Sequence, residues 1–198
     1  GMVRLRLTAY GTDRIVLQEA INKAEKELLP LAGKYIFGFD DDTMESVVGQ
    51  LLRHKGMTLS TAESCTGGNI AHLITSIAGS SDYFKGSVVA YSNEIKEKLL
   101  GVPHQTLIDH GAVSEQTVIA MAEGIRERFE TDYSIAVSGI AGPGGGTDEK
   151  PVGTTWIAVA TPSGTVARKF LLGDHRGRNI RKASLAGLNM LRGKLIEE

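Results

Sequence analysis

Residues 58–77 read TLSTAESCTGGNIAHLITSI, and this stretch decides the fold. Its first part, Thr58 to Glu63, reads as a short strand. Its last part, Asn69 to Ile77, puts Ile70, Leu73, Ile74 and Ile77 at the spacing of one helix face. Between them Ser64-Cys65-Thr66-Gly67-Gly68 is a tight turn of small residues. A strand that turns directly into a helix is half of a β-α-β unit, and such units build parallel sheets covered by helices.

The alternation continues downstream. Ser87 to Tyr91 is a β-rich strand. Asn93 is placed to cap a helix through Leu100, which Val102-Pro103 ends. Ser114 caps a longer helix with Val118, Met121, Ala122, Ile125 and Phe129 on one face. Tyr133 to Val137 is a strand that runs into a glycine-rich loop, Gly139 to Gly146. Thr154 to Ala160 and Thr165 to Leu171 form a hairpin about Pro162-Ser163-Gly164. The last helix runs from Asn179 to Ile196. Strands alternating with helices and ending in a hairpin predict an α/β fold, a three-layer α/β/α sandwich with a mixed, mostly parallel sheet.

Upstream, Asp42 and Glu45 form a capping-box-like pair ahead of Met44, Val47, Val48, Leu51 and Leu52, and Gly56 closes that helix. Residues 3–9, VRLRLTA, alternate as a strand with one wet face. Thr12 is placed to cap a helix to Leu31 with Val16, Ala20, Ala24 and Leu28 on one side, and Tyr35-Ile36-Phe37 reads as a second strand. This small β-α-β piece of about 40 residues is too short to bury a good core alone. The polar junction Phe39-Asp40-Asp41-Asp42 sets the expected boundary, giving units 1–41 and 42–198. Gly1-Met2 has the look of a tag scar, which predicts a chain shortened from a longer one.

Composition narrows the function classes. Apolar residues make up 41% and charged residues 23% of the 198 residues, which excludes a disordered chain. The formal net charge of −1 supplies no basic field for a nucleic-acid backbone. A single cysteine, Cys65, excludes an intrachain disulfide and a multi-cysteine metal site. No apolar run approaches the ~20 residues that span a bilayer. A cytoplasmic protein with no membrane partner and no nucleic-acid partner is therefore expected. His54, His72, His104, His110 and His175 show no metal-ligand spacing.

Four segments carry candidate chemistry. In Ser64–Gly68 the strand-turn-helix geometry aims backbone N–H groups at a helix start, where an anion or oxyanion binds. Ser64 projects from that turn as a nucleophile or, equally by residue type, as an N-cap. Cys65 is either a thiol activated by the helix start or a small buried hydrophobe. In Tyr91-Ser92-Asn93-Glu94-Ile95-Lys96, Lys96 falls in a first helical turn, where the dipole disfavours a cation. A lysine with a depressed pKa suits a general base; the alternative is a solvated surface lysine like Lys98. Ser64 and Lys96 lie one β-α-β step apart, so one sheet edge can bring them together. In Ser138–Thr147 the glycines allow close approach to a phosphate, but the Lys-Ser or Lys-Thr of a Walker loop and the dinucleotide fingerprint are both absent. In Gly173-Asp174-His175-Arg176-Gly177-Arg178 the arginines can hold a phosphate bidentately or start a solvated helix.

Thr61–Gly68, Tyr91–Glu94, Gly111–Ser114, Ser138–Pro143 and Lys150–Thr154 occur in this order, and over about residues 43–196 the chain resembles the C-terminal domain of the CinA family. Residues 3–41 resemble the end of that family's middle domain. The resemblance implies a nicotinamide-nucleotide amidase. It would hydrolyse the carboxamide of nicotinamide mononucleotide to nicotinate mononucleotide and ammonia, with no metal and no cofactor. Carried over by motif, Ser64 is the nucleophile and Lys96 the base. Around that dyad we assign Thr66, Gly67 and Gly68 to the oxyanion site. Tyr91 orients Lys96 or stacks on the pyridine ring. Ser138 and Gly139 contact substrate, Arg176 takes the phosphate with Arg178 in contention, and the loop from Gly142 to Gly146 closes over the nucleotide. The expected partner is a small-molecule nucleotide, and a homo-oligomer, with a dimer favoured, is expected. Three readings compete: a nucleotide-binding regulatory module with little catalysis, a cysteine amidase built on Cys65, and a nucleic-acid binder. The last is opposed by charge.

Overall fold

The computed structural model describes residues 2–197; Gly1 of the Gly1-Met2 pair lies outside them. The chain divides into two compact units, Gly1–Asp42 and Thr43–Glu198.

Within the first unit one helix forms, α1 (Arg14–Ala32), followed by a short 3-10 turn, Gly33–Tyr35. Two expectations fail here. Neither residues 3–9 nor Tyr35-Ile36-Phe37 is a strand. An alternating pattern specifies a wet and a dry face, but a strand also needs a ladder partner, and these two stretches do not pair with each other. Asp13, not Thr12, caps α1, its carboxylate accepting from the Ile15 and Val16 amides. Its half-buried residues include Leu17, Ile21, Ala24 and Leu28, while Val16 and Ala20 are exposed.

The second unit opens with α2 (Met44–Lys55). Its capping box is Thr43 with Ser46, one residue past the expected Asp42 and Glu45. Asp42 instead accepts from the Phe39 amide. Gly56 ends α2 in the left-handed region, φ 65°. Then follow β1 (Leu59–Glu63), α3 (Asn69–Thr75), β2 (Phe84–Val89), α4 (Asn93–Leu100), α5 (His104–His110), α6 (Glu115–Arg128), β3 (Tyr133–Gly139), β4 (Thr154–Thr161), β5 (Gly164–Leu171) and α7 (Arg176–Glu197). Ser92 rather than Asn93 caps α4, and α7 starts three residues before Asn179. The short helix α5 follows the Val102-Pro103 stop, because a proline that ends one helix also has the fixed φ that suits the start of the next.

The sheet order is β2-β1-β3-β4-β5. β1 pairs in parallel with β2 and β3, and β4 runs antiparallel to β3 and β5. It is the mixed sheet expected, with a parallel core closed by a hairpin. α6, with α4 and α5, covers one face; α7, with α3 and α2, covers the other, completing three layers. Alternation along β1 directs Ala62 towards the α6 side, where it packs with Ala136, Ala158, Val118, Met121 and Ile125.

The chain leaves β1 to one side through α3 and returns to its other side through α4–α6, so the carboxyl end of β1 is a topological switch point. In open α/β sheets such a point forms a crevice. Gly124 lets the end of α4 rest on α6: a Cβ on it would overlap the Leu100 carbonyl oxygen. Gly124→Ala is expected to push α4 off α6 and to destabilise the fold by about 1–3 kcal/mol, read from urea unfolding.

Candidate active site

Three chain segments meet where β1 ends. The first is the turn after β1. Ser64 is 8% exposed and its amide donates to the Val137 carbonyl, which fixes it between β1 and β3. The second is the link from β2 into α4. Ser92 caps α4, and Lys96 lies in its first turn with its amide donating to the Ser92 carbonyl. The third is the long β3–β4 loop, residues 140–153.

Lys96 is 1% exposed. Its Nζ lies 2.8 Å from the Ala90 carbonyl oxygen, 3.3 Å from that of Tyr91 and 3.3 Å from Ser64 Oγ. Among the described residues it forms no salt bridge. Burial pushes its pKa below the usual lysine value. That cause differs from the helix dipole invoked from sequence. The partners also fit the neutral amine: its two N–H groups serve the two carbonyls, and its lone pair accepts from the Ser64 hydroxyl. Lys98, two residues on, is exposed.

Cys65 is buried, and its thiol is pushed up to about 12, chiefly by that burial. Burial thus disfavours the thiolate form on which a cysteine nucleophile depends.

The turn itself does not leave the whole start of α3 free. Glu63, fully buried, points to the opposite face from Ser64 and accepts three amides. Its Oε2 takes Gly68 at 3.1 Å and Ile70 at 3.0 Å, and Oε1 takes Ala71 at 2.8 Å. The Gly67 amide donates to the Ser64 carbonyl. Of the three expected oxyanion donors, Gly67 and Gly68 therefore have internal partners. The Cys65 and Thr66 amides donate to no backbone carbonyl among the described residues. Thr66 Oγ1 is buried without a partner there as well.

Ser138 ends on the α6 side, 1% exposed, and donates to the Ala112 carbonyl at 2.6 Å. This ties β3 to the Gly111–Ser114 segment. Gly139 is a packing position: a Cβ there would stand 2.6 Å from Thr155 Oγ1 and 3.0 Å from Cys65 Sγ. Arg176, exposed in the first turn of α7, donates to the Gly142 carbonyl at 2.9 Å and to the Tyr91 hydroxyl at 3.2 Å. Arg176 thus joins Tyr91 to the glycine-rich loop, whereas no side-chain hydrogen bond of Arg178 is seen among the described residues. Lys150 Nζ holds the far side of the same loop through the His110 carbonyl.

Sequence reasoning passed over Glu63 and Asn179. The signal for Glu63 was available: a charged residue ending a short strand, five residues ahead of a glycine-capped helix. Asn179 is taken up below.

A family model described as CinA C-terminal domain matches residues 41–195. The chain is similar to a CinA-like protein of Cytophaga hutchinsonii, 51% identical over 197 residues, covering 100% of this chain and 47% of that protein. A CinA-like protein of Parasynechococcus marenigrum is 48% identical, again over 100% of this chain and 48% of the relative. The chain thus spans about half the length of the curated relatives it matches. Among solved structures it is similar to competence/damage inducible protein CihA from Agrobacterium tumefaciens. That match has TM-score 0.76 and 39% identity, over 80% of this chain and 97% of that one. The competence damage-inducible protein A from Klebsiella pneumoniae gives TM-score 0.75 and 37% identity, over 77% and 95%. No helix among the described residues is long and apolar enough to cross a membrane.

Glu63→Ala is expected to strand three amides at the start of α3 and to destabilise the protein by about 2–4 kcal/mol in urea unfolding, since charge-assisted bonds contribute about 1.5–3 kcal/mol each and do not add fully.

Proposed function

This chain belongs to the CinA C-terminal domain family, and we propose that its Ser64–Lys96 pair hydrolyses the carboxamide of nicotinamide mononucleotide, releasing nicotinate mononucleotide and ammonia. One observation carries the reading. A lysine amine that is 1% exposed, without a carboxylate partner among the described residues, stands 3.3 Å from a serine hydroxyl at the carboxyl end of a parallel strand.

An amide carbon is a weak electrophile, so its hydrolysis needs an activated oxygen and a site for the developing negative charge. Neutral Lys96 takes the Ser64 proton as Oγ attacks the carboxamide carbon. The Thr66 amide, with that of Cys65 beside it, receives the oxyanion. The resulting ammonium returns its proton to the departing nitrogen, and ammonia leaves a nicotinoyl ester on Ser64. Lys96 then takes a proton from water, hydroxide adds to the ester, and the proton returns to Ser64 Oγ as nicotinate mononucleotide leaves. The Tyr91 carbonyl holds Lys96, and the exposed Tyr91 ring is placed to stack on the pyridine. Arg176 takes the 5′-phosphate with the guanidinium N–H groups that its Gly142 and Tyr91 contacts leave free. The Gly142–Gly146 loop closes over the nucleotide, and Ser138 shapes the wall through Ala112. The protein acts on a free nucleotide in the cytoplasm, as a homo-oligomer.

The test is ammonia release from nicotinamide mononucleotide without added metal. Ser64→Ala is expected to lose at least about 10³-fold and Lys96→Met about 10²–10⁴-fold, while Cys65→Ala stays within a few-fold of wild type. Loss in Cys65→Ala alone would overturn the dyad and leave an amidase. Binding without ammonia release by folded wild type would favour the nucleotide-binding regulatory module. The base works deprotonated, so kcat/KM is expected to rise tenfold per pH unit and level off below the ordinary lysine pKa of ~10.4.

A further inference from the structure

Asn179 is 2% exposed in the first turns of α7. Its side-chain nitrogen donates to two loops at once, to the Ala141 carbonyl at 3.1 Å and to the Gly173 carbonyl at 2.9 Å. Two carbonyl acceptors fix which end of the amide is nitrogen. They leave Oδ1 buried without a partner among the described residues. A buried acceptor without a partner costs free energy, so this position is not filled for stability alone.

The surrounding frame is drawn tight. The Gly153 amide donates to the Ile140 carbonyl at 2.7 Å, and the Leu172 amide to the Gly153 carbonyl at 3.0 Å. Gly153 has φ +89°, and a Cβ on it would overlap the Gly173 carbonyl oxygen. The two feet of the glycine-rich loop and the β5–α7 link therefore touch backbone to backbone. Asn179 is the buried side chain that ties this frame to α7. The next residue past Ala141 is Gly142, whose carbonyl accepts from Arg176. Arg176 lies three positions before Asn179 on α7. One amide thus fixes both ends of the Arg176–Gly142 contact.

We propose that Asn179 is a positioning residue: it fixes the glycine-rich loop and the first turn of α7 to each other and so sets where the Arg176 guanidinium stands. Its bearing on catalysis rests on the amidase reading above, in which Arg176 takes the 5′-phosphate. Asn179 does not touch the reacting atoms. It governs discrimination between a phosphorylated nucleotide and its nucleoside.

Two measurements on Asn179→Ala, with Asn179→Ser carried in parallel in case the alanine chain does not fold, test this. Hydrogen exchange does not depend on the substrate. The amides of Ile140, Gly153, Leu172 and Asn179 are expected to exchange at least about tenfold faster, with those of β1 and α6 unchanged. No change, or faster exchange throughout the unit, would overturn the assignment. In kinetics, KM for nicotinamide mononucleotide is expected to rise about tenfold with kcat nearly unchanged. Use of nicotinamide riboside, which lacks the phosphate, should not change. In an Arg176→Ala background the substitution should add little. Equal losses on both substrates, or full additivity with Arg176→Ala, would contradict it. Should wild type release no ammonia from the mononucleotide, the amidase reading falls and the exchange data alone decide the role of Asn179.

Discussion

The amine of Lys96, enclosed by two carbonyl oxygens and one hydroxyl with no carboxylate partner among the described residues, is the constraint on which the site depends. A charge in that place is desolvated and unpaired, which lowers the pKa of the amine. The neutral amine has two donors and one acceptor, which two carbonyls and a hydroxyl, itself able to donate, can satisfy. The fold holds this in place from both sides. The turn after β2 presents the Ala90 and Tyr91 carbonyls. The αL glycine at 101 ends α4 one turn later, and the missing side chain of Gly124 lets that end rest on α6. β1 stops at Glu63, which leaves Ser64 at the lip of the sheet.

Neighbouring residues divide the labour at that lip. Period-two alternation sends Glu63 and Ser64 to opposite faces. Glu63 satisfies three amides at the start of α3 from behind, while those of Cys65 and Thr66 donate to no backbone carbonyl among the described residues. A helix start that binds the protein's own carboxylate no longer recruits an external anion. On the proposed reading, phosphate recognition moves instead to Arg176 at the head of α7. There the β3–β4 loop, the β5–α7 link and Tyr91 converge.

Much of the fold was legible because the period of the sequence changes from two to 3.6 within a few residues at 58–77, and again after Ser114 and before Thr154. Caps were legible to within one residue: Thr12 against Asp13, Asp42 against Thr43, Asn93 against Ser92. In each case two neighbours are both able to cap, and local backbone angles choose between them. α5 was hidden because Pro103 reads as a stop. The strands expected at 3–9 and 35–37 were misread because alternation describes a face and says nothing about a partner. At the site, spacing made the meeting of Ser64 and Lys96 plausible, and the motif order singled it out. That Lys96 is buried while Lys98 is exposed depends on how α4 is seated, which a lysine in a short polar helix does not announce. Glu63 acts on amides five to eight residues on, a local signal that was passed over, whereas Asn179 reaches the Ala141 carbonyl 38 residues away, and such a partner leaves no local signature.

The most direct test of the central claim is the charge on Lys96, followed by NMR of lysine labelled with ¹³C at Cε, with Lys96→Arg used to assign its signal. The Lys96 signal is expected to titrate below those of the exposed lysines, and to be that of a neutral amine at pH values where the others are still charged. A Lys96 that keeps its proton alongside the surface lysines, up to about pH 10.4, would contradict a neutral general base at Ser64.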